Sequence, residues 1–221
     1  VQYVPIQYVP AQYAPAPASS APAAAEYETA PAARKRNLFS LGAGLVIPAG
    51  LSLNKGDIVR GADGDVKAGG PGGGIELQYL NFLNERFALG VEFGGTVLTE
   101  ETENYYGYEI KTKTQTLHGM ISGRLYVNPN NKNLVYVPFG VGFVQGELDG
   151  DIYTGGVKRF VLNNFSDTAP AGYIGLGVEL ERTEESLISL EARYHMAWFR
   201  KSGISATYSY VSIMLKAGGL F

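Results

Sequence analysis

The sequence predicts an all-β protein, an eight-stranded antiparallel up-and-down transmembrane β-barrel with an extended Pro-rich N-terminal arm. Three observations predict it. From Asn37 to Phe221 the apolar residues recur at every second position, which is the period of a strand. Most of these alternating stretches run about 10–13 residues, against the ~5–6 usual in soluble sheets, and that length suits a tilted bilayer crossing. No apolar run approaches the roughly 18 residues of a membrane-spanning helix, so strands are the remaining way to cross.

The arm comes first. Residues 1–36 form one segment and 37–221 another, divided at the basic triplet Arg34-Lys35-Arg36. A five-residue unit recurs as Gln2-Tyr3-Val4-Pro5, Gln7-Tyr8-Val9-Pro10 and Gln12-Tyr13-Ala14-Pro15, before an Ala/Pro/Ser tract. Proline at this density blocks helix and ladder pairing and favours polyproline II. At ~3.1 Å per residue the arm could reach on the order of 100 Å. It reads either as a flexible tether or as a docking segment. In the second reading Tyr3, Pro5, Tyr8, Pro10, Tyr13 and Pro15 are rigid anchors for a protein partner of residues 1–33. The chain starts at Val1 without Met or a charged-then-apolar leader, which reads as a processed or trimmed form.

The strands follow in order. Residues 39–47 set Phe39, Leu41, Ala43, Leu45 and Ile47 against Ser40, Gly42 and Gly44. Residues 74–80 set Ile75, Leu77 and Tyr79 against Glu76 and Gln78, and residues 86–98 set Phe87, Leu89, Val91, Phe93 and Val97 against Glu92 and Thr96. Residues 114–127 set Leu117, Ile121, Leu125 and Val127 against His118, Ser122, Arg124 and Tyr126. Residues 134–145 set Val135, Val137, Phe139, Val141 and Phe143 against Gly140 and Gly142. Residues 170–181 set Ile174, Leu176, Val178 and Leu180 against Tyr173, Gly175, Gly177, Glu179 and Glu181. Residues 186–199 set Ile188, Leu190, Tyr194 and Trp198 against Ser189, Glu191, Arg193 and His195. Residues 206–221 set Val211, Ile213, Leu215, Ala217 and Phe221 against Ser212, Met214 and Lys216. Short turns at 81–85, 128–133 and 182–185 alternate with longer connections at 48–71, 99–113, 146–168 and 200–205, as in hairpins crossing a slab.

Alternation alone also fits a soluble β-sandwich or lipocalin-like barrel. The second face favours the membrane: it holds Gly, Ser, Thr and a few charges of both signs, which suits a confined interior better than open water. Aromatics at strand ends (Tyr79, Phe87, Tyr126, Tyr136, Trp198, Phe199, Tyr208, Phe221) fit interfacial girdles. An eight-stranded lumen holds only side chains. Glu76, Glu92, Glu179 and Glu191 face Arg124, Arg193 and Lys216 there, with His195 as a hydrogen-bond partner. Confined charges must pair, so the set reads as a network closing the lumen, or else as the lining of a narrow conduit. Inward glycine pairs 42/44, 140/142 and 175/177 leave room for aromatics or for strand curvature.

Composition excludes several chemistries. There is no cysteine, hence no disulfide, thiol catalysis or Cys-ligated metal, and with two histidines no metal site or cofactor is expected. A net charge of −3 gives no argument for nucleic acid. Asp-Gly-Asp at 63–65 and 149–151 lacks the rest of a calcium loop and reads as solvated turn.

The closing stretch Tyr210-Val-Ser-Ile-Met-Leu-Lys-Ala-Gly-Gly-Leu-Phe221 resembles the C-terminal assembly signal of bacterial outer-membrane β-barrels of the eight-stranded OmpA/OmpX type. The resemblance covers roughly 37–221. It implies that Val211, Ile213, Leu215 and Phe221 are read by the barrel-insertion machinery, that the last strand closes on the first, and that outer-membrane lipid surrounds the barrel. An even strand count puts both ends on one side, with the arm in the periplasm. The resemblance also raises lipid A enzymes. The deacylase type has Ser two residues after its His, whereas His195 precedes Met196-Ala197 and His118 precedes Gly119-Met120. The palmitoyltransferase type needs a loop His, and the long connections hold Ser166 and aspartates but no His. The expected function is therefore a non-catalytic membrane anchor that docks an envelope partner through its arm. A small pore or conduit is the second reading and a lipid A-modifying enzyme the third.

Overall fold

The computed structural model describes residues 37–54, 65–66, 69–105, 108–129, 134–154, 157–201 and 204–221. The arm, with Tyr3, Pro5, Tyr8, Pro10, Tyr13 and Pro15, lies outside the described residues. The strands are β1 (Asn37–Asn54), β2 (Asp65–Val66), β3 (Gly70–Phe82), β4 (Phe87–Thr99), β5 (Glu101–Tyr105), β6 (Tyr108–Tyr126), β7 (Val135–Thr154), β8 (Val157–Arg182), β9 (Ser186–Lys201) and β10 (Ile204–Leu220). Eight of them pair antiparallel in the order β1-β3-β4-β6-β7-β8-β9-β10, and β10 returns to β1. The closing register runs from Leu38 opposite Leu220 to Asn54 opposite Ser205, with one bulge between Pro48 and Gly50. Closure leaves no ladder edge through the wall, which hydrocarbon would not tolerate.

The wall is apolar outside and polar inside. Phe93 is 62% exposed, Phe143 63% and Leu176 66%, while Glu92, Arg124 and Glu191 are wholly buried. A soluble sandwich has the opposite arrangement, so the membrane reading is the one the side chains obey. Along β6 and the residue that follows it the outward apolar residues run from Leu117 to Val127, about ten steps of ~3.3 Å, which at a tilt of ~40° makes a band about 25 Å tall.

One end of the barrel carries its first and last residues, Asn37 and Phe221, and the short turns. Asn37 and Phe221 exchange backbone hydrogen bonds at 3.0 and 3.1 Å. The Thr183 hydroxyl accepts from the Glu185 and Ser186 amides at 3.2 and 2.9 Å, and the Asn84 side chain accepts from the Arg86 amide at 2.8 Å. These are Ser/Thr and Asx turn chemistry.

The other end corrects the expected loops. Strand β1 continues through Asn54, β5 and the start of β6 occupy much of 99–113, β7 and β8 extend as one hairpin through 146–168, and β9 and β10 reach into 200–205. Asp149-Gly150-Asp151 lies inside β7, next to a register shift, rather than in a turn. Beyond the rim the wall divides. The β3–β4 ladder ends at Gly70 opposite Thr99, where Gly69 takes a φ of 135° and turns the chain. The β8–β9 ladder begins only at Ala171 opposite Ala197. Pro170, which has no N–H to donate, stands just before that junction.

Two apolar layers cross the interior. Near Asn37 and Phe221 lie Leu38, Leu80, Phe82, Ala88, Tyr126, Leu134, Tyr136, Leu187 and Leu220. Toward the long hairpins lie Val46, Leu98, Met120, Val144, Ala169, Ala171, Tyr173, Ala197, Phe199, Tyr208 and Tyr210. The girdle expectation is thereby corrected: Tyr126, Tyr136, Phe199 and Tyr208 are buried and point inward. Each is out of phase with lipid-facing neighbours, as Tyr126 is with Leu125 and Val127. Tyr79, Trp198 and Phe221 do stand on the outer face.

Candidate functional site

Between the two apolar layers sits a charged layer built from five strands. Glu76 and Gln78 come from β3, Glu92 from β4, Arg124 from β6, Glu191 and Arg193 from β9, and Lys216 from β10. Period two sends each of these inward while its sequence neighbours meet lipid. Arg193 is the hub. Its Nη1 donates to Glu76 at 3.0 Å and to both oxygens of Glu92 at 2.9 and 3.0 Å. Its Nε donates to Glu191 at 2.6 Å, its Nη2 pairs with the same carboxylate, and its guanidinium lies 4.2 Å from the Tyr173 ring centre.

Lys216 pairs with Glu76 and reaches Glu191 at 3.1 Å. Arg124 pairs with Glu191 at 2.9 Å, donates to Gln78 at 3.1 Å and stacks 4.5 Å from the Tyr136 ring centre. The Tyr136 hydroxyl donates to Glu191 at 2.8 Å and the Tyr173 hydroxyl to Glu92 at 3.0 Å. The Gln78 amide donates to Glu92 at 2.9 Å and to Ser122 at 3.2 Å. Carboxylates Glu76, Glu92 and Glu191 thus meet cations Arg124, Arg193 and Lys216, three against three, with no net charge in the layer. Charges held in so confined a place are tolerable only when paired and hydrogen-bonded like this.

Two glycines of the inward pairs make room for the rings. A Cβ on Gly140 would collide with Tyr173, and one on Gly177 with Tyr136. Gly142 and Gly175 instead sit against backbone of the neighbouring strand, the close approach of a strongly coiled sheet.

The sequence profile of the outer membrane protein beta-barrel domain matches residues 13–216. The chain belongs to the outer-membrane β-barrel family. Among solved structures it is similar to Ail of Yersinia pestis, at 14% identity over 84% of this chain and 99% of that one, with a TM-score of 0.43. It is also similar to OprG of Pseudomonas aeruginosa, at 15% identity over 85% and 97% with a TM-score of 0.46. Neisserial surface protein A matches at 12% identity over 83% and 97% with a TM-score of 0.44. No curated protein matches the sequence.

Within this outer-membrane barrel the expected residues separate into three groups. Glu76, Glu92, Arg124, Glu191, Arg193 and Lys216 form the central layer. Glu179 does not join them: it accepts from the Tyr126 hydroxyl at 2.6 Å and from Arg182 at 3.1 Å, toward the short turns. His195 lies toward the long hairpins, 2.9 Å from the Ser212 hydroxyl and stacked on Tyr210 at 4.2 Å. Glu181, expected inside, is exposed, because a bulge between Glu179 and Glu181 shifts the register and leaves Arg182 with Glu179 instead. Gln78, Ser122, Tyr136, Tyr173 and His118 are members that charge alone did not single out, although inward phase marks each of them. Glu76, Glu92 and His118 bring ligand atoms within 4.8 Å of one another, but Arg193 and Lys216 already occupy both carboxylates.

Proposed function

We propose that this outer-membrane barrel is a non-conducting, non-catalytic anchor whose N-terminal arm lies in the periplasm and docks a protein of the cell envelope. One observation carries the reading: the lumen is filled by an apolar layer, a charge-neutral layer and a second apolar layer. An ion entering would have to break the central pairs and cross apolar packing at each end. Both histidines also lie inside, His118 7% and His195 3% exposed, out of reach of a lipid substrate. Asn37 and Phe221, where the barrel begins and ends, share the end that bears short turns, which is the periplasmic side in this class. An arm able to extend on the order of 100 Å then reaches deep into the periplasm. Its three Tyr-Pro units supply aromatic anchors at regular spacing. The strand carrying Val211, Ile213, Leu215 and Phe221 serves the insertion machinery before it closes on β1.

Planar-bilayer recording of the purified barrel should show no discrete conductance steps; steady channels would establish the conduit reading instead. For the arm, the full chain and a chain starting at Arg34 are compared in crosslinking pull-downs from envelopes, together with Tyr3→Ala/Tyr8→Ala/Tyr13→Ala. Docking requires that both altered chains lose a partner which the full chain holds. Retention of every partner overturns it.

A further inference from the structure

Above the charged layer lies a small, partly open pocket of about 10 Å³, lined among others by Glu76, Thr96, His118, His195, Ser212 and Met214. Its polar lining is not fully used by protein groups. His118 Nδ1 has no hydrogen-bond partner in the protein, and its Nε2 stands 3.5 Å from Glu92, too far for a good bond. His195 Nε2 shares a hydrogen bond with the Ser212 hydroxyl, while its Nδ1 has no protein partner. The ring centres are 6.4 Å apart. Both imidazoles are more than nine-tenths buried. Unmet polar atoms at such burial are costly, and native interiors meet them with internal water.

We propose that one water molecule is bound here, bridging His118 and His195 and completing the polar interior of the barrel. Size admits it, since a cavity of roughly 10–15 Å³ holds a single water with two to four polar partners. Charge selects it. The neighbouring carboxylates and cations already balance, so a metal dication at His118 would leave uncompensated charge beside Arg193 and Lys216 in a water-poor interior. A neutral ligand adds none. The bridge links Glu92, through His118 and His195, to Ser212, so that the charged layer and the hydroxyls above it become one network.

The test is solution NMR of the full chain in lipid nanodiscs, reading cross-relaxation between water and the imidazole protons of His118 and His195. A long-lived water signal at both rings is expected, and His118→Phe, which fills the space without a polar atom, should abolish the signal at His195 while the amide spectrum stays folded. Absence of the signal in the wild-type barrel overturns the proposal, as does its survival in His118→Phe. Addition of zinc or nickel should leave both rings unshifted; stoichiometric binding lost in His118→Phe would show a metal site in place of the water. Should His118→Phe fail to fold, His195→Phe read at His118 decides the same question.

Discussion

At the residue scale the barrel depends on Arg193. Its guanidinium touches Glu76, Glu92 and Glu191 together, so it bridges strands that are not neighbours in the wall. Removing one member of a buried pair costs more than the pair itself contributed, because the remaining charges are left uncompensated. Arg193→Met should therefore lower unfolding stability in urea, measured in lipid vesicles, by ~3–5 kcal/mol. Arg193→Lys should recover little, since Lys216 already supplies a point charge to these carboxylates and a second ammonium lacks the planar fork of directed donors that Arg193 aims at them. Adding Glu92→Gln to Arg193→Met restores charge balance and should regain part of the loss. An additive, still greater loss would show that the two do not act as a unit.

At the element scale, closure rests on β1 and β10, the most distant strands in sequence. Ala43 stands opposite Leu215, both on the outer face. The chain has no cysteine, so Ala43→Cys with Leu215→Cys introduces a lone pair. A short bifunctional crosslinker should join these two in the inserted barrel and shift its gel mobility, and neither single variant should react intramolecularly. Failure to join would contradict the closing register. The eight wall strands and their inward phase were legible in the sequence because one face meets lipid and must be apolar. The long hairpins were not. In Glu101-Thr-Glu-Asn-Tyr and in Lys111-Thr-Lys-Thr the alternate residues are polar on both faces, the buried Thr112 and Thr114 as much as Lys113 between them, and period two leaves no hydropathy mark there. Phase also outranks residue type: Tyr126, Tyr136, Phe199 and Tyr208 look like girdle residues, yet their positions point them inside. The pairing of Glu179 with Arg182, and the exposure of Glu181, depend on a bulge that alternation cannot register.

For the whole molecule the governing quantity is which solvent each face meets. The outward side chains of β6 make a ruler across that solvent. Leu117 and Val127 bound its apolar stretch, and Ile121 lies near the middle, 57% exposed and flanked on β4 by Val91. If hydrocarbon covers this band, an arginine at Ile121 must lose its hydration or distort the bilayer, whereas one at Val127 can reach the headgroups. Ile121→Arg should then cost ~2–4 kcal/mol and Val127→Arg only ~0–1 kcal/mol in reversible unfolding from vesicles. The same pair in a water-facing sheet would cost little and equally, because both sites are exposed, so the difference between them measures the surrounding medium. The measurement does not depend on what the barrel docks or carries. Equal, small losses at the two positions would place the outer face in water and remove the basis for an anchor.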